Sequence, residues 1–330
     1  MTGKSQQKVK VVFVGIGGAT CSGKTTLAKH LRRILPDSVI IHQDDFAPPQ
    51  ELVPVHPEYN VQDWDAPAGA ISWDRLIGFL RRVKETGEIP PGHRSHDHLN
   101  EQKDVPIPED LRDRWVAEFQ RIKEEREAGE EGTKIVWALI AEIGQFDRHQ
   151  DVIAELDVRI MLRVPHDILK KRRHERHGYH TAGEMIHADL TCLTRVDFYL
   201  HISFFYRFSV PQWICPVPVY LWLGLRITAH NSPLHPLLTK RRINGHSFSV
   251  PFMPGVQSDP EGTLWRDPPH YWEQIVWPAY LEAHRDAFVN GDVECGAPND
   301  KVEGLVLLET LSMTMGEAVD RSCRVLSEVA

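Results

Sequence analysis

The stretch VKVVFVGIGGATCSGKTTLAKHLRRIL, residues 9–35, decides the fold. Lys8 to Ile16 is a β-branched apolar run ended by glycines, the pattern of a strand buried on both faces. From Lys24 the period changes. Thr25, Leu27, Ala28, Leu31, Ile34 and Leu35 recur at helical spacing until Pro36 stops them. Between the two, Gly18-Ala19-Thr20-Cys21-Ser22-Gly23-Lys24-Thr25 fits G-x-x-x-x-G-K-[ST] in the strand-to-helix setting that the motif requires. Glycines let backbone amides curl around a polyphosphate, and the helix N-terminus adds partial positive charge. Lys24 is placed to bridge the β- and γ-phosphates, and the Thr25 hydroxyl to ligate Mg²⁺.

Working outward, Ser38 to His42 reads as a second short strand, followed by Asp44 and Asp45 and then by Pro48 and Pro49, which force a loop. In a parallel sheet those carboxylates lie at the carboxyl edge beside the phosphate loop, where ligands bind. A carboxylate there can take the proton of an attacking hydroxyl and help hold a metal; a turn-forming or helix-capping pair is the plain alternative. Trp73 to Glu85 has helical spacing. Leu111, Trp115, Phe119 and Ile122 mark one buried stripe on a highly charged helix. Ile135 to Ile140 and Val158 to Val164 read as further core strands, and His270 to Asn290 and Met315 to Val329 as amphipathic helices. The alternation predicts an α/β fold, a doubly wound and mainly parallel sheet with helices on both faces. A helix beginning near Pro165 carries Lys170, Lys171, Arg172, Arg173 and Arg176. Its spacing lets the three arginines share one face, where guanidinium forks suit phosphate oxygens; a solvated basic helix is the plain alternative.

Composition bounds the partners. The 330 residues are 42% apolar, enough to fill a core, and 38 basic against 46 acidic side chains give a net charge of −8. No global field attracts nucleic acid or an anionic membrane, so any anion is captured locally. No Asn-Lys-x-Asp guanine motif is present. Met1 to Lys10 is polar and basic and lacks a secretory pattern, so a cytosolic or nuclear location is expected. Cys21, Cys192, Cys215, Cys295 and Cys323, odd in number and without a CxxC pair, read as free thiols. Residues 183–262 break the rhythm: Phe198, Tyr199, Phe204, Phe205, Tyr206 and Phe208 precede Trp213, Pro216, Pro218, Tyr220 and Trp222 without a period. The apolar run from Phe208 to Leu225 is near the length of a membrane span, and its prolines argue against one.

These pieces, in this order, resemble the nicotinamide riboside kinases of the uridine-kinase-like branch of P-loop kinases, fungal members above all. The resemblance includes Gly18 to Thr26, Ile41 to Phe46, Tyr59 to Asp65, the arginine-rich helix from Pro165 to Tyr179, and Asp267 to Trp272 continuing to Val289 through Asp292. It implies transfer of the ATP γ-phosphoryl group to the 5′-hydroxyl of nicotinamide riboside, with Mg²⁺. Asp44 would be proton acceptor and, with Thr25, metal ligand. Asp44, Asp45, Phe46, Trp64, Asp65 and Arg173 would line the nucleoside site, Trp64 stacking on the base and Asp65 binding the ribose hydroxyls. Gly18, Ala19, Thr20, Cys21, Ser22, Gly23, Lys24, Thr25, Thr26, Arg172, Arg176, His177 and Gly178 would contact ATP, with Lys24 and Arg173 assisting transfer. An aromatic face with nearby carboxylates suits the pyridinium charge.

The expected organisation is a single kinase domain over 8–182 and 263–330, with 183–262 an atypical insertion, either poorly ordered or a translated intron. Two departures from the family pattern stand out: that insertion, and a third strand running Val136 to Gly144 in which Glu142 is one residue too far from its glycine. A uridine/cytidine kinase, or a nucleotide-binding homologue that has lost catalysis, are the alternative functions.

Overall fold

A computed structural model describes residues 8–66, 68–100, 103–129, 132–143, 150–176, 179–181, 238–243, 246–251, 256–259 and 262–330. Its centre is β1 (Val9–Gly18), flanked in parallel by β3 (Lys134–Ile143) and β4 (Val158–Arg163). β2 (Ser38–His42) pairs with β3, and the late strand β10 (Leu305–Glu309) with β4. The order is β10-β4-β1-β3-β2, all parallel.

The period of two along each strand divides its apolar residues between two cores. Val12, Val14 and Ile16 of β1, with Trp137, Leu139, Ile160 and Leu162, pack under α1 (Lys24–Ile34), α3 (Glu109–Ala128) and α7 (Met315–Val329). Val11 and Phe13, with Val136, Ala138, Ile140 and Met161, pack under α2 (Trp73–Thr86), α4 (Gln150–Glu155) and the stretch from Ala287 to Val302. Each fully buried large side chain here contributes about 1.5–3 kcal/mol. Thr314 caps α7 through a reciprocal pair with Glu317. α1 begins differently: its cap is the left-handed Gly23, with no side-chain hydrogen bond.

Two helices differ in detail from their sequence patterns. The arginine helix α5 spans His166–His174, so Arg176 lies just past its end. The helix expected over His270–Asn290 is continuous to Ala287 but changes pitch along its length: a π-helical turn at Trp272–Val276, α6 (Trp277–His284) and a 3₁₀ turn at Arg285–Ala287, with a separate 3₁₀ turn at Val289–Gly291. Pro278 is the physical cause: it has no N–H to donate one turn back, so the preceding backbone widens.

The chain falls into two units, one within 1–184 and 257–330 and one within 185–256. In the first, the short β5 (Tyr179–Thr181) pairs antiparallel with β9 (Gly262–Trp265), and β8 (Val256–Asp259) continues that small sheet. In the second, β6 (Leu238–Ile243) and β7 (His246–Pro251) form an antiparallel pair. The rest of the expected insertion, including its aromatic cluster and the run from Phe208 to Leu225, lies outside the described residues. Among the described residues no helix is long and apolar enough to cross a membrane, and Cys21, Cys295 and Cys323 are free thiols.

Candidate functional site

The phosphate loop leaves β1 through Gly18 at φ 133°, where an added Cβ would lie 2.4 Å from the Leu162 carbonyl oxygen; only glycine fits. Cys21 (φ 61°) and Gly23 (φ 103°) are also left-handed, which curls the backbone into a cradle. Lys24 is buried and donates from Nζ to the Gly18 and Ala19 carbonyls at 2.9 and 2.8 Å, so its ammonium lies across the cradle. Ser22 Oγ is buried with no hydrogen-bond partner among the described residues. Thr25 and Thr26, half-buried, occupy the first turn of α1.

Register brings the acidic pair alongside. Ile16 and His42 both stand opposite Ala141, so the phosphate loop and the 3₁₀ turn Gln43–Phe46 leave the same sheet edge. Asp44 is partly exposed there, whereas Asp45 and Phe46 are buried. Between Ile16 and Gly17 the partner in β3 jumps from Ala141 to Ile143. The irregular spacing of the third strand is therefore a β-bulge at Glu142, one extra backbone residue rather than a lost strand.

Asp45 faces the loop between α2 and α3. Its Oδ1 accepts the His96 backbone N–H at 3.0 Å and lies 3.3 Å from His96 Nδ1, while its Oδ2 lies 3.5 Å from His93 Nε2. His93 stacks on Phe46, and Asp97 reaches Lys29 of α1 at 2.7 Å. Burial alone would raise the Asp45 carboxyl, but the His93 and His96 donors, with His42 nearby, hold it well below the usual carboxylate range.

A second carboxylate cluster surrounds Arg173 of α5. Its Nε and Nη2 form a two-pronged pair with Asp267, each at 2.8 Å, and its Nη1 donates to Thr20 Oγ1 of the phosphate loop at 3.0 Å. Arg172 Nη1 donates to the Cys21 carbonyl at 3.2 Å. Asp65 is partly buried within the field of both Arg173 and Lys24. Burial pushes its carboxyl up to about 6; Arg173 opposes the rise, and Asp63 and Asp267 add to it. Trp64 packs edge-on against Trp265, ring centres 6.0 Å apart. Its backbone N–H donates to the Tyr271 hydroxyl at 3.1 Å, and that hydroxyl donates to the Gln62 carbonyl at 3.0 Å.

No protein-family model matches the chain. It is 26% identical over 284 residues to the nicotinamide riboside kinase of Schizosaccharomyces pombe, covering 86% of this chain and 84% of that protein. Against the nicotinamide riboside kinase of Saccharomyces cerevisiae it is 22% identical over 286 residues, 86% and 82% of the two chains. The enzyme of the same name from Eremothecium gossypii is 32% identical over 171 residues, 52% of this chain and 66% of that one. The chain belongs to the nicotinamide riboside kinase family.

Of the residues that the sequence singles out, Thr20, Lys24, Trp64, Asp65 and Arg173 belong to one connected neighbourhood, with Asp44 at the same sheet edge. Arg172 and Arg173 both reach the phosphate loop, though from separate points of α5. Asp45 instead directs its carboxylate at His93 and His96. His177 and Gly178 lie outside the described residues, as does the Glu142 side chain. Sequence reasoning assigned no role to His93, His96, Trp265, Asp267 or Tyr271. The signal for the first two was a His-x-x-His spacing in a glycine-preceded loop. For the other three it was the run of aromatics around an acid ahead of Pro268 and Pro269.

The donor chemistry suits magnesium. Thr25 and Asp44 would offer the ion two hard oxygens. Mg²⁺ takes one or two such oxygens from a protein, keeping several waters and taking further oxygens from phosphates.

Proposed function

We propose that this chain transfers the γ-phosphoryl group of ATP to the 5′-hydroxyl of nicotinamide riboside, giving the mononucleotide. The observation that carries the proposal is the position of Arg173, which touches Thr20 of the phosphate loop and shares an electrostatic field with Asp65 beside Trp64. A nucleoside held by Trp64 and Asp65 would present its hydroxyl next to a phosphate chain in the cradle.

In this mechanism the amides from Ala19 to Thr25 and the Lys24 ammonium hold the triphosphate, while Asp65 accepts hydrogen bonds from the ribose diol. The Trp64 face stabilises a cationic ring. Asp44 accepts the 5′-hydroxyl proton as the oxygen attacks phosphorus, and Arg172 and Arg173 neutralise charge moving onto the leaving diphosphate. Mg²⁺, held by Thr25 and Asp44, would supply further neutralisation of the phosphate oxygens. Packing of α5 over the loop keeps water from the phosphorus, which would otherwise be hydrolysed.

The test is Asp44→Asn in a coupled ADP-release assay with nicotinamide riboside. A fall in kcat of about 10²–10⁴-fold is expected from loss of the base; a variant at full rate overturns the assignment.

A further inference from the structure

The segment Trp265–Glu273 has no part in the mechanism above, yet it touches both halves of the site. On one side it grips α5 at three points spaced i, i+4 and i+7 along a single face. Trp272 Nε1 donates to His166 Nε2 at 2.9 Å, Glu273 pairs with Lys170, and Asp267 pairs with Arg173. On the other side it holds the acceptor loop: Trp265 packs on Trp64, and the Tyr271 hydroxyl is hydrogen-bonded to Gln62 and Trp64. Asp267 is the node between them. Its Oδ1 accepts from both Arg173 Nη2 and Trp265 Nε1, the latter at 2.9 Å, and its Oδ2 accepts from Arg173 Nε.

We propose that Asp267 is a positioning residue that aims Arg173 at the phosphate loop and, through Trp265, ties that aim to the placement of Trp64. The two-pronged pair fixes the plane of the guanidinium, so that Nη1 is the nitrogen turned to Thr20. An arginine without this partner has free torsions along its stem, and a misplacement near 1 Å at a reacting centre reduces rate about a hundredfold. Asp267 directs its oxygens at Arg173 and Trp265, so it acts through them rather than on a substrate. The inference rests on the nucleoside-kinase reading of the site.

The experiment is a double-mutant cycle of Asp267→Asn and Arg173→Ala in the full chain, read in kcat and acceptor KM and, separately, in ATP affinity by calorimetry. Asp267→Asn is expected to lower kcat about 10–100-fold and to weaken ATP about fivefold. In the Arg173→Ala background the same substitution should change either quantity less than about twofold, because the group it aims is gone. Asp267→Glu, which keeps the charge, should recover part of kcat. Additive losses in the two backgrounds, or wild-type rate and ATP affinity in Asp267→Asn, overturn the proposal. Thermal melting of each variant separates misfolding from misaiming, and the double variant, which removes both charges, avoids leaving one buried alone. Absence of acceptor-dependent turnover in the unmodified chain would sink the functional proposal instead, while the cycle in ATP affinity would still decide the role of Asp267.

Discussion

Asp45 and Asp65 are the same residue type in two regions of one site, and the protein treats them in opposite ways. Asp45 is enclosed by the His93–His96 loop, whose donors keep it ionised well below the usual range. Asp65 is raised to about 6 by burial, against the opposing charge of Arg173 and with smaller additions from Asp63 and Asp267. A carboxylate whose donors come from its own fold is a clasp. One whose ionisation is left unfavourable by the fold has unmet capacity for hydrogen bonds, and a ribose diol can meet it.

The largest effect that would break this contrast comes from Asp65→Ala, which should lower acceptor kcat/KM about a hundredfold, the loss of charge-assisted hydrogen bonds to two hydroxyls. Steady-state kinetics at saturating ATP measures it. Asp45→Ala should instead lower folding stability by about 2–3 kcal/mol, read from denaturant midpoints, because two histidines and a backbone N–H lose their acceptor inside the protein.

The clasp and the pocket also differ in the sign of their pH dependence. Asp45 is lowered in the fold, so its stabilisation is present above the unfolded carboxylate range and fades as pH falls toward its folded value. Asp65 is raised, so its contribution is present below the unfolded range and is lost as pH rises through about 6. At pH 7 the ionised Asp65 therefore costs the fold stability, and Asp65→Asn should stabilise by about 1–2 kcal/mol while impairing catalysis. A thermal melt beside the kinetic assay checks both halves. For the unsubstituted chain, acceptor KM should rise about tenfold between pH 6.5 and pH 5 as Asp65 protonates. The smallest effect is expected for His93→Gln, about 1 kcal/mol of stability, since His96 and its N–H still hold Asp45.

Much of the donor side was legible in the sequence because it is local. Gly18 to Thr25 is contiguous, two of its three left-handed positions are glycine, and the flanking periods of two and 3.6 fix strand, loop and helix. The two-sided sheet followed from the same periodicities, and Asp44 from its place after β2. What the sequence did not reveal depends on partners distant along the chain. His96 meets Asp45 across 51 residues, Asp267 meets Arg173 across 94, and Tyr271 meets Trp64 across 207. No local pattern encodes such pairings. The sequence places Asp45 beside Asp44 but does not show the contacts of its carboxylate with His93 and His96, because successive residues of a 3₁₀ turn point to different surroundings. The helix expected through Pro278 does run through it, and the proline shows only as a change of pitch in the turn that precedes it.

The central claim, that the phosphate cradle and the Trp64–Asp65 pocket serve one transfer, is tested most directly by following the label from γ-³²P-ATP with nicotinamide riboside, uridine, cytidine or no acceptor. The account predicts label in nicotinamide mononucleotide, with little transfer to either pyrimidine nucleoside and little free phosphate. Label confined to uridine or cytidine products, or phosphate released equally with and without acceptor, would contradict it.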